Sequence, residues 1–203
     1  MTDTDRMKFD DTDFKLTKLV GAGVAIGALV ITIINPLVSW ANREPLGATL
    51  DGVAEGAIDG GRPGVTLTHG STVTAQFADA GASLWLAALA PSILFVACLG
   101  GVLWLLWQLL DAVHYGHPFT ESNVRRMRGI ALIIVVGSFA VFLAQGLSGG
   151  YLLTQAVEGT SVFFANDTET SDLLIPGFGF LIAALAEAFR HGVELEGDVE
   201  GLI

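Results

Sequence analysis

With 203 residues, 52% of them hydrophobic, and a mean hydropathy of +0.60, this chain is too apolar for an ordinary water-soluble domain, where about 45 to 50% is usual even with glycine counted. The net charge of −11 comes mostly from tails and loops, where acids are solvated or face a basic partner; no direct nucleic-acid binding is expected. Cys98 is the only cysteine and lies inside an apolar stretch, which excludes an intrachain disulfide.

The N-terminal tail carries Arg6, Lys8, Lys15 and Lys18 among several aspartates, and the first charge-free stretch follows from Leu19 to Trp40. About 20 apolar residues cross the ~30 Å hydrocarbon core of a bilayer. The stretch is too long for the apolar core of a cleavable signal, so it is expected to be a retained helix. Charge-free stretches recur at Ala82–Leu110, Gly129–Val157 and, shorter, Leu173–Ala186. One polytopic membrane domain is expected over 1–203, with helices at about 19–40, 82–110, 129–157 and 173–190, outer loops at 41–81 and 158–172, and an inner loop at 111–128. Eight of the ten basic residues then fall on one side of the membrane; only Arg43 and Arg62 fall on the other. Lys and Arg resist translocation, so both termini are expected in the cytoplasm of a cell-membrane protein. Trp40 and Trp85 fall at the outer surface and Trp104 and Trp107 toward the inner one, as indoles favour the headgroup level.

In the first outer loop, VTLT and TVTAQF read as two short strands around a turn at His69–Ser71. The second outer loop contains TSVFFAN (160–166), a candidate third strand, because a hairpin alone is marginal in water. The fold class is therefore an all-α membrane protein of four helices, both termini inside, with a small extracytoplasmic β patch built from both outer loops. The patch serves either as a sensor surface or as a lid tying helix pairs together.

Three spans contain proline: Pro36, Pro91 and Pro176. Proline breaks the helical ladder, which makes either a simple kink or the broken helix of a transporter site. A polar path through the spans has only Thr32, Asn35, Ser92, Ser138 and Gln145 to draw on. Gly23/Gly27 and Gly146/Gly150 have the four-residue spacing that lets helices approach closely, within one chain or in a homo-oligomer.

The inner loop reads HYGHPFTESNVRRMRGIA from His114 to Ala131. Thr120 is suited to capping a short helix, with Glu121 in its first turn and Arg125, Arg126 and Arg128 at its far end, where they face anionic headgroups or simply obey the orientation rule. His114 and His117 are three apart, but nothing nearby completes a metal site, and no metal or cofactor is expected. At the end of the fourth span, Glu187 precedes Arg190 and His191 by three and four residues, a spacing for an interfacial ion pair. The tail beyond combines Val193, Leu195 and Val199 with Glu194, Glu196, Asp198 and Glu200; it is either a solvated end or a dock for a basic protein.

Two segments resemble a bacterial family of small four-helix membrane proteins, the domain of unknown function 2975. Gly116, Pro118, Phe119, Thr120, Asn123, Arg126, Met127, Arg128 and Ile130 follow one of its motifs; Phe189, Arg190, Gly192, Val193, Glu194, Leu195, Asp198, Glu200 and Gly201 follow the other. Met127 stands where the family has leucine and Ala131 where it has glycine. The resemblance implies an integral membrane protein without an established activity, encoded beside helix-turn-helix regulators. Phe119, Asn123, Arg125, Arg126, Arg128, Glu187, Arg190 and Glu194 are thus the candidate contacts for a partner or for lipid headgroups. The expected function is a non-enzymatic envelope sensor or membrane partner of a cytoplasmic regulator of helix-turn-helix type. A small transporter or channel subunit is the alternative. No nucleophile motif or phosphate loop supports an enzyme.

Overall fold

The computed structural model describes residues 11–50, 61–69, 73–115, 120–159, 161–166 and 174–200. The first span is one helical rod in three parts: α1 (Asp11–Leu29), a π turn (Val30–Ile34) and α2 (Asn35–Ala41). Its cause is local. Pro36 has no N–H and crowds the carbonyl four residues back, and the chain widens so that the Asn35 N–H bonds the Val30 carbonyl, five residues away.

Three strands follow: β1 (Leu46–Leu50), β2 (Val65–His69) and β3 (Val73–Phe77), antiparallel in the order β1-β3-β2. The turn into β2 is made by Arg62-Pro63-Gly64-Val65, with the Val65 N–H on the Arg62 carbonyl at 2.9 Å and Gly64 at φ +83°. Proline and glycine occupy the two central positions that a type II turn requires. Register puts Val65 opposite Phe77 and Leu67 opposite Ala75, so the alternating apolar residues of both strands share one face.

Here the expected source of the third strand is corrected. It comes from Leu46–Leu50 of the first loop, not from residues 160–166 of the second. LGATL pairs with β3 along its whole length and buries Leu46 and Leu50 on the inner face. Residues 161–166 take no strand conformation; among the described residues, the isolated bridge outside the sheet joins Gly61 to Val157, just past the end of α4.

The three remaining helices are α3 (Ala82–His114), α4 (Glu121–Ala156) and α5 (Leu174–Glu200). They overrun the expected bounds at the ends away from the sheet, because charged residues end an apolar stretch without ending a helix. Thr120 caps α4 itself rather than a separate short helix, its hydroxyl accepting the Asn123 N–H at 3.4 Å. At 1.5 Å per residue, the 36 residues of α4 extend about 54 Å, well beyond a ~30 Å hydrocarbon core. The acidic tail continues α5 to Glu200.

The main helix contacts run in single file: α1 on α3, α3 on α4, α4 on α5. Small residues set the close approaches. A side chain at Gly137 would meet Cys98 Sγ at 2.8 Å, and one at Gly179 would meet Val135 at 2.6 Å. Gly23 and Gly27 face open space, and Gly146 and Gly150 receive residues 163–164 rather than a helix. The inner face of the sheet lies on the ends of α3 and α4, where Leu46, Leu50, Val73, Ala75 and Phe77 cluster with Trp85, Leu152, Leu153 and Ala156.

Pro91 cannot donate to the carbonyl of Ala87, and the Ser148 hydroxyl of α4 donates to that carbonyl at 2.6 Å. Ser148→Ala is therefore expected to cost about 1 kcal/mol in detergent melting. In a Pro91→Ala background, where the helix can make its own bond, the same change costs less; an equal cost in both backgrounds would break the link between these residues.

Candidate functional site

At the end of the helix row opposite the sheet, polar side chains join each helix to the next. Lys18 of α1 meets Asp111 of α3 at 2.6 Å. Arg126 of α4 donates through Nε to Gln108 Oε1 of α3 at 3.1 Å and through Nη1 to Asn123 Oδ1 at 2.7 Å. Arg128 of α4 donates to Glu187 of α5 at 3.1 Å. Three junctions thus carry three polar links, forming a belt across the row.

Geometry follows from helix spacing. Asn123, Arg126 and Met127 lie three and four residues apart on the α4 face that meets its neighbours; Asn123 is fully buried. Arg128 stands on the side toward α5. On α5, Arg190 donates to Glu187 at 2.8 Å and to Glu194 at 2.6 Å, and the His191 ring meets the Glu187 carbonyl at 2.9 Å. Glu187 is thus shared between an arginine of its own helix and one of α4. These ion pairs are half-exposed, where screening leaves little net stability; their value is to fix side-chain positions. Phe14 stacks on His114 at 4.5 Å, with the Lys18 ammonium over the Phe14 ring.

Of the expected contact residues, Asn123, Arg126, Arg128, Glu187, Arg190 and Glu194 come together in this belt. Arg125 is exposed beside it and makes no ion pair among the described residues. Phe119 and His117 lie outside the described residues. The expected pairing of Glu187 with Arg190 is present; its second pairing, with Arg128, joins positions 59 apart in the chain. Lys18–Asp111 and Gln108–Arg126 were missed as well, although Lys18 and Asp111 flank opposite ends of two antiparallel spans and so stand at one depth. Among the described residues, no group of three His, Cys, Asp or Glu is placed to hold a metal ion.

Near the sheet, a cleft of about 360 Å³ opens between the π turn and α3. It brings together Thr32, Asn35 and Ser92, three of the five candidates for a polar path. Ser138 donates to the Val135 carbonyl of its own helix, and Gln145 is exposed on α4.

Four helices long and apolar enough to cross a bilayer, capped at one end by a three-stranded sheet and belted at the other by polar links, define a multi-pass helical architecture of membrane type. Residues 68–203 match the family described as "Protein of unknown function (DUF2975)", and the chain belongs to that family. The match begins within β2 and takes in both resembling segments. No curated protein and no solved structure matches the chain.

Proposed function

We propose that this chain is a non-enzymatic, multi-pass protein of the cell membrane, with both termini in the cytoplasm, that reports the state of the envelope to a cytoplasmic regulator of helix-turn-helix type. One observation carries the reading: α4 links the two ends of the molecule. Its last residue accepts the Arg62 N–H at 2.9 Å beside the sheet, and its first two turns supply Asn123, Arg126 and Arg128 to the belt. A displacement of the sheet is passed along a continuous helix to the opposite surface. The orientation is supported by charge. Lys15, Lys18, Arg125, Arg126, Arg128 and Arg190 gather at the belt end, as the retention of basic residues in the cytoplasm requires.

Binding tests the reading. A helix-turn-helix regulator encoded beside the gene is what the family resemblance implies; purified, it is expected to bind the detergent-solubilised chain, and at least tenfold more weakly when Arg125 is replaced by glutamate and residues 195–203 are removed. The same change leaves affinity intact if the belt end is not the contact. Cysteines placed at Thr49 and Glu121, in a Cys98→Ala background, check the orientation: an impermeant maleimide added outside is expected to label the first and not the second. The transporter alternative draws on Thr32, Asn35 and Ser92 lining one cleft, and solute flux in liposomes no greater than in empty vesicles removes it.

A further inference from the structure

The cleft beside the π turn gathers four polar side chains, Thr32, Asn35, Ser39 and Ser92, at one place in an otherwise apolar zone. Of these, Thr32 donates to the Ala28 carbonyl at 2.7 Å, as Ser138, Ser148 and Thr154 donate to backbone carbonyls elsewhere in the spans at 2.6–3.0 Å. Asn35, Ser39 and Ser92 have no side-chain partner among the described residues, and all three line this one cleft. Unsatisfied amides and hydroxyls are costly in hydrocarbon and normally find a partner.

We propose that this cleft binds the uncharged head of a neutral amphiphile, a glycerol ester or a long-chain alcohol whose tail runs out into the bilayer. No ionisable side chain lines the cleft, so a charged headgroup would enter without a counter-ion. Ile31, Leu89 and Trp85 supply apolar walls for the first part of a tail, while the amide of Asn35 both donates and accepts and the hydroxyls of Ser39 and Ser92 do the same. About 360 Å³ lies within the range of small-molecule sites and takes a glycerol-sized head with several methylenes.

Depth fits the same chemistry. Trp40 and Trp85 stack with centroids 6.1 Å apart, and a stacked indole pair marks the headgroup level. Asn35 lies five residues before Trp40, about 7.5 Å deeper, where lipid ester groups give way to acyl chains. The π turn makes the room, since the widened backbone moves the Asn35 side chain out of a regular helical register, and such bulges recur at functional sites. The inference shares with the proposed function only the membrane location; it needs neither the regulator nor the belt.

The test uses the full chain in phosphatidylcholine nanodiscs with photoreactive probes carrying one diazirine tail and three heads: diacylglycerol, long-chain alcohol and phosphatidylglycerol. A neutral probe is expected to label peptides spanning 31–47 and 85–92, with unlabelled diacylglycerol or alcohol competing, and the response to each head identifies which neutral class is preferred. Asn35→Leu with Ser92→Ala is expected to lower that labelling at least fivefold. Ala88→Phe, which fills the cleft and leaves its polar groups in place, is expected to do the same at an unchanged melting temperature. Gln145→Leu removes an unpaired polar side chain that does not line the cleft and leaves labelling at the wild-type level. Equal labelling by the phosphatidylglycerol probe, or labelling that survives both cleft variants, overturns the proposal and reduces the cleft to ordinary lipid contact.

Discussion

Replacing Gly150 by alanine is expected to destabilise the chain by about 1–3 kcal/mol, because the added carbon has no room that a side chain could vacate. It would stand 2.6 Å from the carbonyl carbon and oxygen of Phe163 and 2.8 Å from the Phe164 nitrogen, all backbone atoms. This segment is tied to α4 on both sides of the contact. The Ala165 N–H bonds the Gly146 carbonyl at 2.9 Å, and Thr154 Oγ1 reaches both the Gly150 carbonyl at 2.7 Å and the Val162 carbonyl at 3.3 Å. Gly149→Ala meets the Ala165 carbonyl oxygen, again a backbone atom, and belongs to the same class. Gly146→Ala is expected to cost less, since it meets the ring of Phe164, which can swing. Gly23→Ala and Gly27→Ala meet nothing within 4 Å and are expected to raise helix stability by up to about 1 kcal/mol each. Thermal melting in one detergent ranks all five, and a Gly150→Ala protein as stable as Gly23→Ala contradicts the packing described.

Arg126→Ala is expected to cost about 2 kcal/mol, whereas Arg125→Ala should leave stability within about 0.5 kcal/mol of wild type. The two neighbours differ only in the direction the helix gives them. Arg126 bridges Gln108 of α3 and the fully buried Asn123, so its loss removes a charged donor from a polar group that water cannot reach. Arg125 is exposed. Arg126→Lys keeps the charge but not the planar fork that reaches Gln108 and Asn123 together, so it is expected to recover less than half of the loss. Equal melting of the Arg125 and Arg126 alanine variants would show that the belt does not hold α3 to α4.

The spans were legible because length and lack of charge are properties of contiguous residues, and the solvent imposes them one helix at a time. The pairing of Glu187 with Arg190 was legible for a similar reason: a helix fixes the distance between positions three apart. What could not be read was the partnership of Arg128 with Glu187, or of Arg126 with Gln108, since each depends on how two helices are rotated against one another. The third strand was misplaced for a local reason. TSVFFAN has the stronger β composition, yet glycines on α4 offer its backbone a groove, while LGATL follows Pro45 directly beside β3. The spacing of Gly146 and Gly150 was read as a helix-packing site, but it is a loop segment, residues 163–164, that approaches them, and spacing alone does not distinguish the two.

A file of helices, unlike a closed bundle, has two ends, and the first span is one of them. It rests mainly on α3 along its length and buries none of its most apolar window. Pulled from the amino terminus, the molecule would unfasten like a row of pickets, giving up its first member at the cost of Lys18–Asp111, the Phe14–His114 stack and the Trp40–Trp85 pair. The sheet and the other three helices share the larger core, so mechanical load applied there meets the stronger half of the protein.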